Sequence, residues 1–259
     1  MGSLAKHSAL RSTIDLNADL GEGGDSDDAL IACVSSVNIA CGGHVGDDDS
    51  MRLAICSAKA RGVAIGVHPS FPDKLHFGRR EMQLAPAELR GNLRQQIENF
   101  CAIAERENAI VKHVKPHGAL YNQAARDAGL AQLIAEVVYA IDPRLILVGL
   151  AGSELIRAGQ RLNLVTAEEV FADRRYTANA QLVSREIAGA VIAESEIALR
   201  QALHIIEHGS VTAISGEEVS LHADTICVHG DGAHALDLAR ALRASLLERG
   251  IHLCAVGSL

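Results

Sequence analysis

Short apolar runs recur along the chain, and most end in glycine, proline, histidine or acidic residues. Residues 13–18, 37–40, 63–67, 110–114, 145–150, 162–165, 211–214 and 225–228 have the length and composition of strands. Between them, apolar residues return every three or four positions: Met51, Ala54, Ile55 and Ala58; Leu89, Leu93, Ile97, Cys101 and Ala104; Leu130, Leu133, Ile134, Val137 and Val138; and Leu236, Ala239, Leu242 and Leu246. That period is helical. Asp48 or Asp49 is placed to cap one helix, Gly62 to stop it, and Pro86 to open the next. Further helices are expected over 27–35, from Gly152 and Ser153 to near Gly159, and over 184–208, before Gly209. An apolar run over 251–256 closes the chain. Residues 1–12 show no period and read as a flexible tail, with Met1-Gly2-Ser3 resembling an expression remnant.

Strand, polar cluster, helix, glycine and strand follow one another in that order some seven times, which predicts a parallel sheet with helical crossovers. One domain over 13–259, with chemistry after many strands, fits a closed (β/α) barrel of about seven parallel strands better than an open doubly wound sheet. The run 145–150 is almost wholly apolar, as expected of a strand covered on both faces.

Composition narrows the function classes. Of 259 residues, 48% are hydrophobic and 22% charged, which is ordinary for a chain that folds around its own core. The net charge of -8 and thinly spread basic residues argue against nucleic-acid binding. Apolar runs are too short to span a bilayer, and no secretory signal is evident. The six cysteines form no C-x-x-C pair and suit a reducing compartment. A cytoplasmic protein is expected.

In a parallel barrel the carboxyl ends of the strands converge at one mouth. That would gather Asp15, Asn17, Asp19 and Glu22; His44 and Asp47; His68 and Asp73; Lys115 and His117; and Asp173, Arg174, His229 and Asp231. Pro116 and Gly118 bracket His117 and should aim it and Lys115 out of a strand end. Five of the seven aromatics, Phe71, Phe77, Tyr121, Phe171 and Tyr176, fall in the same clusters and would shield such a mouth from water. Each cluster also has a plainer reading. The turn from Asp19 to Glu22 could be a solvated loop or a helix cap. His44, His68 and Asp19 could hold a divalent metal, although no compact ligand motif is present. Arg79-Arg80 and Arg174-Arg175 could clamp a carboxylate or phosphate or simply be solvated, and Cys41 is the one thiol with a post-strand position. No Walker loop, G-x-G-x-x-G after a strand, or G-x-S-x-G elbow occurs.

Taken together, Asp15-Leu16-Asn17-Ala18-Asp19-Leu20-Gly21-Glu22, Asn38-Ile39-Ala40-Cys41-Gly42-Gly43-His44, Gly66-Val67-His68-Pro69-Ser70-Phe71-Pro72-Asp73, Phe77-Gly78-Arg79-Arg80, the segment from His113 to Asn122, Val170-Phe171-Ala172-Asp173-Arg174 and His229-Gly230-Asp231 closely resemble the LamB/YcsF family. One departure is Gly43, where the family often carries an aromatic; this would widen the pocket or loosen His44. The resemblance implies an irregular barrel like those of glycoside hydrolases and deacetylases. It also implies the role of the A component of 5-oxoprolinase, which opens the lactam 5-oxoproline (pyroglutamate) to L-glutamate with ATP and with subunits B and C. Phosphorylating the lactam oxygen would activate a stabilised amide towards water.

Residue chemistry then suggests Asp19 or His44 for water activation, Lys115 and Arg174 for the phosphorylated oxygen, and His117 for proton transfer at the ring nitrogen. Asn17, Glu22, His68, Arg79, Tyr121, Asp173, His229 and Asp231 would position substrate, phosphate or a divalent cation such as Mg²⁺. A stand-alone metal-dependent amidohydrolase or deacetylase and a non-catalytic scaffold protein of a lactam-utilising complex stay open, as does homo-oligomerisation.

Overall fold

The structure is a computed structural model that describes residues 12–24, 27–228 and 235–258. The first half runs β1 (Thr13–Leu20), α1 (Asp27–Ile31), β2 (Ser36–Ala40), α2 (Asp48–Ala60), β3 (Ala64–His68), α3 (Pro86–Arg106), β4 (Val111–Val114), α4 (Gly118–Ala124) and α5 (Ala128–Ile141). The second half continues with β5 (Ile146–Leu150), α6 (Glu154–Arg161), β6 (Thr166–Phe171), α7 (Ser195–His208), β7 (Ser210–Thr212), β8 (Glu218–Ser220), β9 (Thr225–Val228), α8 (Ala235–Glu248) and β10 (His252–Leu253). Strands β1 to β6 and then β9 pair side by side, all parallel, and β9 closes on β1 with Asp15 opposite Thr225. The result is the expected barrel of seven parallel strands wrapped by helices.

Alternation along the strands divides the molecule into two cores. Ile14, Leu16, Ala18 and Leu20 of β1 join one large apolar cluster with the helices, including Leu93, Ile97 and Phe100 of α3 and Leu238, Leu242 and Leu246 of α8. The opposite face of β1 carries Asp15, Asn17 and Asp19, all nearly inaccessible, and they meet polar side chains of β2, β6 and β9 across the barrel. The interior is therefore polar. Asp15 accepts hydrogen bonds from Ser35, Ser36 and Thr225, which satisfies a carboxylate at the amino-terminal end of the barrel, far from the mouth expected for it.

Several boundaries differ from the sequence reading. The sixth strand is not 162–165 but Thr166–Phe171, because residues 162–164 complete the turn out of α6, where the Leu164 N–H bonds the Gly159 carbonyl. The stretch over 184–194 is not helical: the chain folds back on itself through bridges pairing Arg174 with Val191 and Tyr176 with Leu182, and α7 starts only at Ser195. The run over 211–214 contributes to an antiparallel hairpin, β7 with β8, outside the barrel. Asp47, and neither Asp48 nor Asp49, caps α2, through a reciprocal pair of bonds with Ser50. The run over 251–256 supplies only β10, which pairs with the start of β1. Among the described residues, no helix is long and apolar enough to cross a membrane.

Gly66 on β3 shows how tightly the polar interior is filled. A Cβ there would lie 2.1 Å from His113 Nε2, so only glycine lets that ring cross the barrel floor. We expect Gly66→Ala to destabilise the fold by about 1–3 kcal/mol through overpacking. Gly91→Ala, on the exposed face of α3 where a Cβ meets nothing, should instead stabilise by up to about 1 kcal/mol. Denaturant melts of the two variants check both signs.

Candidate functional site

The fourth strand delivers its two functional side chains without losing backbone pairing. The Lys115 N–H bonds the Val67 carbonyl at 3.0 Å and the His117 N–H bonds the Pro69 carbonyl at 2.8 Å, so Pro116 occupies the intervening position, where no donor is required. Gly118, at φ +55°, starts α4, and a Cβ on it would strike the Gly78 carbonyl at 2.6 Å. The proline and glycine thus fix Lys115 inward and bring the 77–79 loop against His117.

Lys115 is buried at the centre of an ionic lattice. Its ammonium lies 2.9 Å from Asp19 Oδ1, 2.9 Å from Glu169 Oε1 and 3.1 Å from Cys227 Sγ. Burial opposes that charge, but the carboxylates of Asp19 and Glu169 outweigh it and hold the lysine pKa well above its ordinary value. Asn38 donates to Asp19 and to Asn17, Asn17 donates to Glu169 and Thr225, and His113 Nε2 bonds Asn38 Oδ1 at 2.8 Å. The three ammonium donors already face protein acceptors. Lys115 therefore serves as the buried counter-charge that orients Asp19, rather than as the phosphate ligand expected from sequence.

Above this lattice stands a cluster of three histidines and two carboxylates. His68 Nε2 lies 3.4 Å from Asp19 Oδ2 and 3.9 Å from Glu22 Oε1, while His117 Nδ1 lies 3.2 Å from the same Glu22 oxygen and 3.0 Å from His68 Nε2. His44 stacks on His117 with ring centroids 3.7 Å apart, and its Nε2 reaches Glu22 Oε1 at 3.1 Å. Burial lowers the His44 pKa to about 4, so the neutral ring donates its N–H to Glu22. His44 is absent from the cavity lining and meets the cluster through Glu22, while its Nδ1 is buried without a partner. His117 is likewise tied by Nε2 to the Phe77 carbonyl at 3.0 Å, which leaves only its Nδ1 facing the cluster. Phe77 stands edge-on to His44 and His117 and carries Arg79 over its face at 4.9 Å.

A cavity of about 400 Å³ opens over the cluster, a size suited to a small molecule. Asp19, Glu22, His68, Arg79, Lys115, His117, Tyr121, Phe171 and Arg174 line it, together with the 182–186 segment. Arg174 is 3% exposed, bonds the Val183 carbonyl, and leaves its Nε buried with no partner; burial, with Arg185 nearby, lowers its pKa to about 10. It remains a cation at neutral pH. The Tyr121 hydroxyl is also buried, beside the Glu169 carboxylate, and burial followed by that charge keeps it protonated far above the usual phenol range.

Other expected residues lie elsewhere. Asn17 sits beneath the cavity in the lattice, and Asp173 is not among the lining residues; its carbonyl accepts from Ile192. Asp73 pairs with His76 and Asp47 caps α2, so neither reaches the mouth. Burial raises the Cys41 thiol far above its ordinary pKa, which leaves it a packing residue. His229 and Asp231 lie outside the described residues. Gly43 does not widen the pocket: a Cβ there would meet Gln96 Oε1 and Ser70 Oγ at 2.4 Å, and His44 is 2% exposed. Sequence reasoning gave no site role to Asn38, His113, Glu169 and Cys227; Asn38 and His113 lie in the motifs shared with the family, and each of the four lies on a strand face that turns into the barrel.

The family model described as LamB/YcsF matches residues 14–259. Among solved structures, the chain is similar to the lactam utilization protein from Thermus thermophilus, at 41% identity and a TM-score of 0.87, over 94% of this chain and 99% of that one. It is also similar to a family 4 carbohydrate esterase from Streptomyces lividans, at 11% identity and a TM-score of 0.54, over 96% of this chain and 95% of that one. The T48 deacetylase matches at 15% identity and a TM-score of 0.52, over 95% and 89% of the two chains. At the latter two identities the likeness is one of fold.

The lattice makes two measurable demands. Lys115→Met should cost about 3–5 kcal/mol in unfolding free energy, because it leaves the Asp19 and Glu169 carboxylates buried together without their cation. Burial, then the Lys115 charge, lowers the His113 pKa from 6.5 to about 3, so the folded chain binds fewer protons than the unfolded one between those values. The associated stability is fully present above pH 6.5 and is lost as pH falls towards 3. His113→Gln should flatten that decline by about 1.4 kcal/mol per pH unit, as read from melts across the acid range.

Proposed function

Because the chain belongs to the LamB/YcsF family, we propose that it opens the ring of 5-oxoproline to L-glutamate as the A component of an ATP-dependent 5-oxoprolinase with B and C subunits. The observation that carries this reading is one cavity that combines the Asp19 and Glu22 carboxylates with Arg174, a buried guanidinium whose Nε has no partner. The 41%-identical lactam utilization protein supports the substrate class.

Ring opening needs an activated water, a cation for the carbonyl oxygen or its phosphoryl group, and a proton for the departing nitrogen. Asp19, oriented by Lys115 and Asn38, activates the attacking water. Arg174, with Arg79 on the same wall, meets the substrate carboxylate or the phosphorylated oxygen. Tyr121 lines the cavity as a protonated phenol and supplies the donor at the ring nitrogen. The γ-phosphoryl group passes from ATP to the lactam oxygen, water adds to that carbon, and the C–N bond breaks as nitrogen gains a proton, leaving a γ-glutamyl phosphate; a second water then releases phosphate and frees the carboxylate. With no Walker loop in this chain, the nucleotide is delivered through the partner subunits.

The test is 5-oxoproline-dependent ATP hydrolysis by this chain alone and then with candidate B and C subunits. ADP and glutamate should form in equal amounts only in the mixture; turnover by the chain alone without ATP, or no glutamate in the mixture, contradicts the proposal. Arg174→Gln in the same mixture should raise the KM for 5-oxoproline about 10- to 100-fold, the value of one lost charge-assisted hydrogen bond, with a smaller change in kcat.

A further inference from the structure

The histidine and carboxylate cluster has an electron-pair problem. His68 Nδ1 lies 2.7 Å from the Lys115 carbonyl oxygen, and His117 Nε2 lies 3.0 Å from the Phe77 carbonyl oxygen. A carbonyl oxygen only accepts, so both of those nitrogens carry the ring proton, and the tautomers are thereby assigned. In neutral rings the other two nitrogens, His68 Nε2 and His117 Nδ1, then present lone pairs to one another across 3.0 Å. Asp19 Oδ2 and Glu22 Oε1 approach the same point, and both are acceptors. Acceptors thus follow one another at 3.4, 3.0 and 3.2 Å, from Asp19 through His68 and His117 to Glu22, an arrangement that a cation resolves.

We propose that His68 Nε2, His117 Nδ1, Asp19 Oδ2 and Glu22 Oε1 form a four-donor site for one divalent ion of the zinc class. The spacing suits it. Donors about 2.0–2.1 Å from a tetrahedral ion stand roughly 3.3 Å from each other. Here, Asp19 to His68 is 3.4 Å, His68 to His117 is 3.0 Å, His117 to Glu22 is 3.2 Å, and the His68 to Glu22 separation is 3.9 Å. Two imidazoles with two carboxylates select a zinc-like ion over Mg²⁺, which prefers an oxygen shell.

The groups behind the donors are those such a site requires. Each ligating ring gives its second N–H to a backbone carbonyl, Lys115 and Asn38 hold Asp19 Oδ1, and the His44 N–H holds Glu22. His44, expected from sequence as a ligand alongside His68 and Asp19, is thereby replaced as a donor by His117 and Glu22. Four protein donors leave a tetrahedral ion no open position, so an ion bound there would hold the two imidazoles and two carboxylates in place beneath the cavity.

Ion uptake is tested apart from the lactam reading, on the full chain with no lactam, nucleotide or partner present. Chelator-treated protein is titrated with Zn²⁺ alone in a calorimeter, and its metal content is measured after dialysis. Uptake of about one ion per chain is expected, with a rise in melting temperature, and Co²⁺ in its place should give the visible absorption of a four-coordinate ion without a thiolate band. His68→Ala and His117→Ala, each first shown to melt cooperatively, should lose that ion. His204→Ala, in the surface pair of stacked histidines beside Glu218, should keep it. A wild-type chain that takes up no stoichiometric Zn²⁺ overturns the proposal, as does retention by the folded His68 and His117 variants of wild-type affinity. Such results would leave a shared proton to satisfy the cluster and would not touch the lactam reading.

Discussion

A single buried ammonium determines how the rest of the mouth is built. Lys115 sits between Asp19 and Glu169 at 2.9 Å from each, where any one of the three alone would be an uncompensated buried charge. Taking these groups out of water is costly, and the fold meets that cost with further polar groups rather than with apolar packing. Asn17, Asn38, Thr225 and His113 extend the lattice across the barrel, and Gly66 makes room for the last of them. The arrangement adds little net stability, but it leaves Asp19 one allowed position. Preorganisation of that kind is what a hydrolytic carboxylate needs.

The outer architecture was legible in the sequence because it rests on local rules. Helical spacing in α3, α5 and α8, and glycine or proline at strand ends, gave the barrel and its closure. Asp19, His68, Lys115 and His117 could be assigned to one mouth for the same reason: each closes or follows a strand beside residues that break regular pairing. Glu169 could not be read in this way. Its strand opens Thr-Ala-Glu-Glu, which looks like a solvated loop until a lysine from another strand is known to lie against it. The preceding leucines drew the strand assignment several residues early, although Leu164 packs in a turn.

The misread helix over 184–194 reflects a different limit. Its apolar residues suit a helix, but the chain returns on itself so that Val191 pairs with Arg174, and residues 184–186 line the cavity. Tertiary pairing overrode local preference where the molecule meets its ligand, as expected of functional segments. The roles of the histidines shifted for a related reason. From sequence, His44 and His117 were free acids or bases; in the structure one ring nitrogen of each is committed, to Glu22 and to the Phe77 carbonyl. On the proposed reading, proton traffic falls to Asp19 and Tyr121, and the histidines define the place.

These features leave one carboxylate at the meeting point of the ionic lattice, the histidine cluster and the cavity. The most direct measurement is kcat for 5-oxoproline turnover by Asp19→Asn in the assembled complex, with folding verified by its melt. Water activation by Asp19 predicts a fall of about 10²–10⁴-fold with little change in KM, as for loss of a general base. A folded Asp19→Asn variant that turns over at the wild-type rate would contradict it.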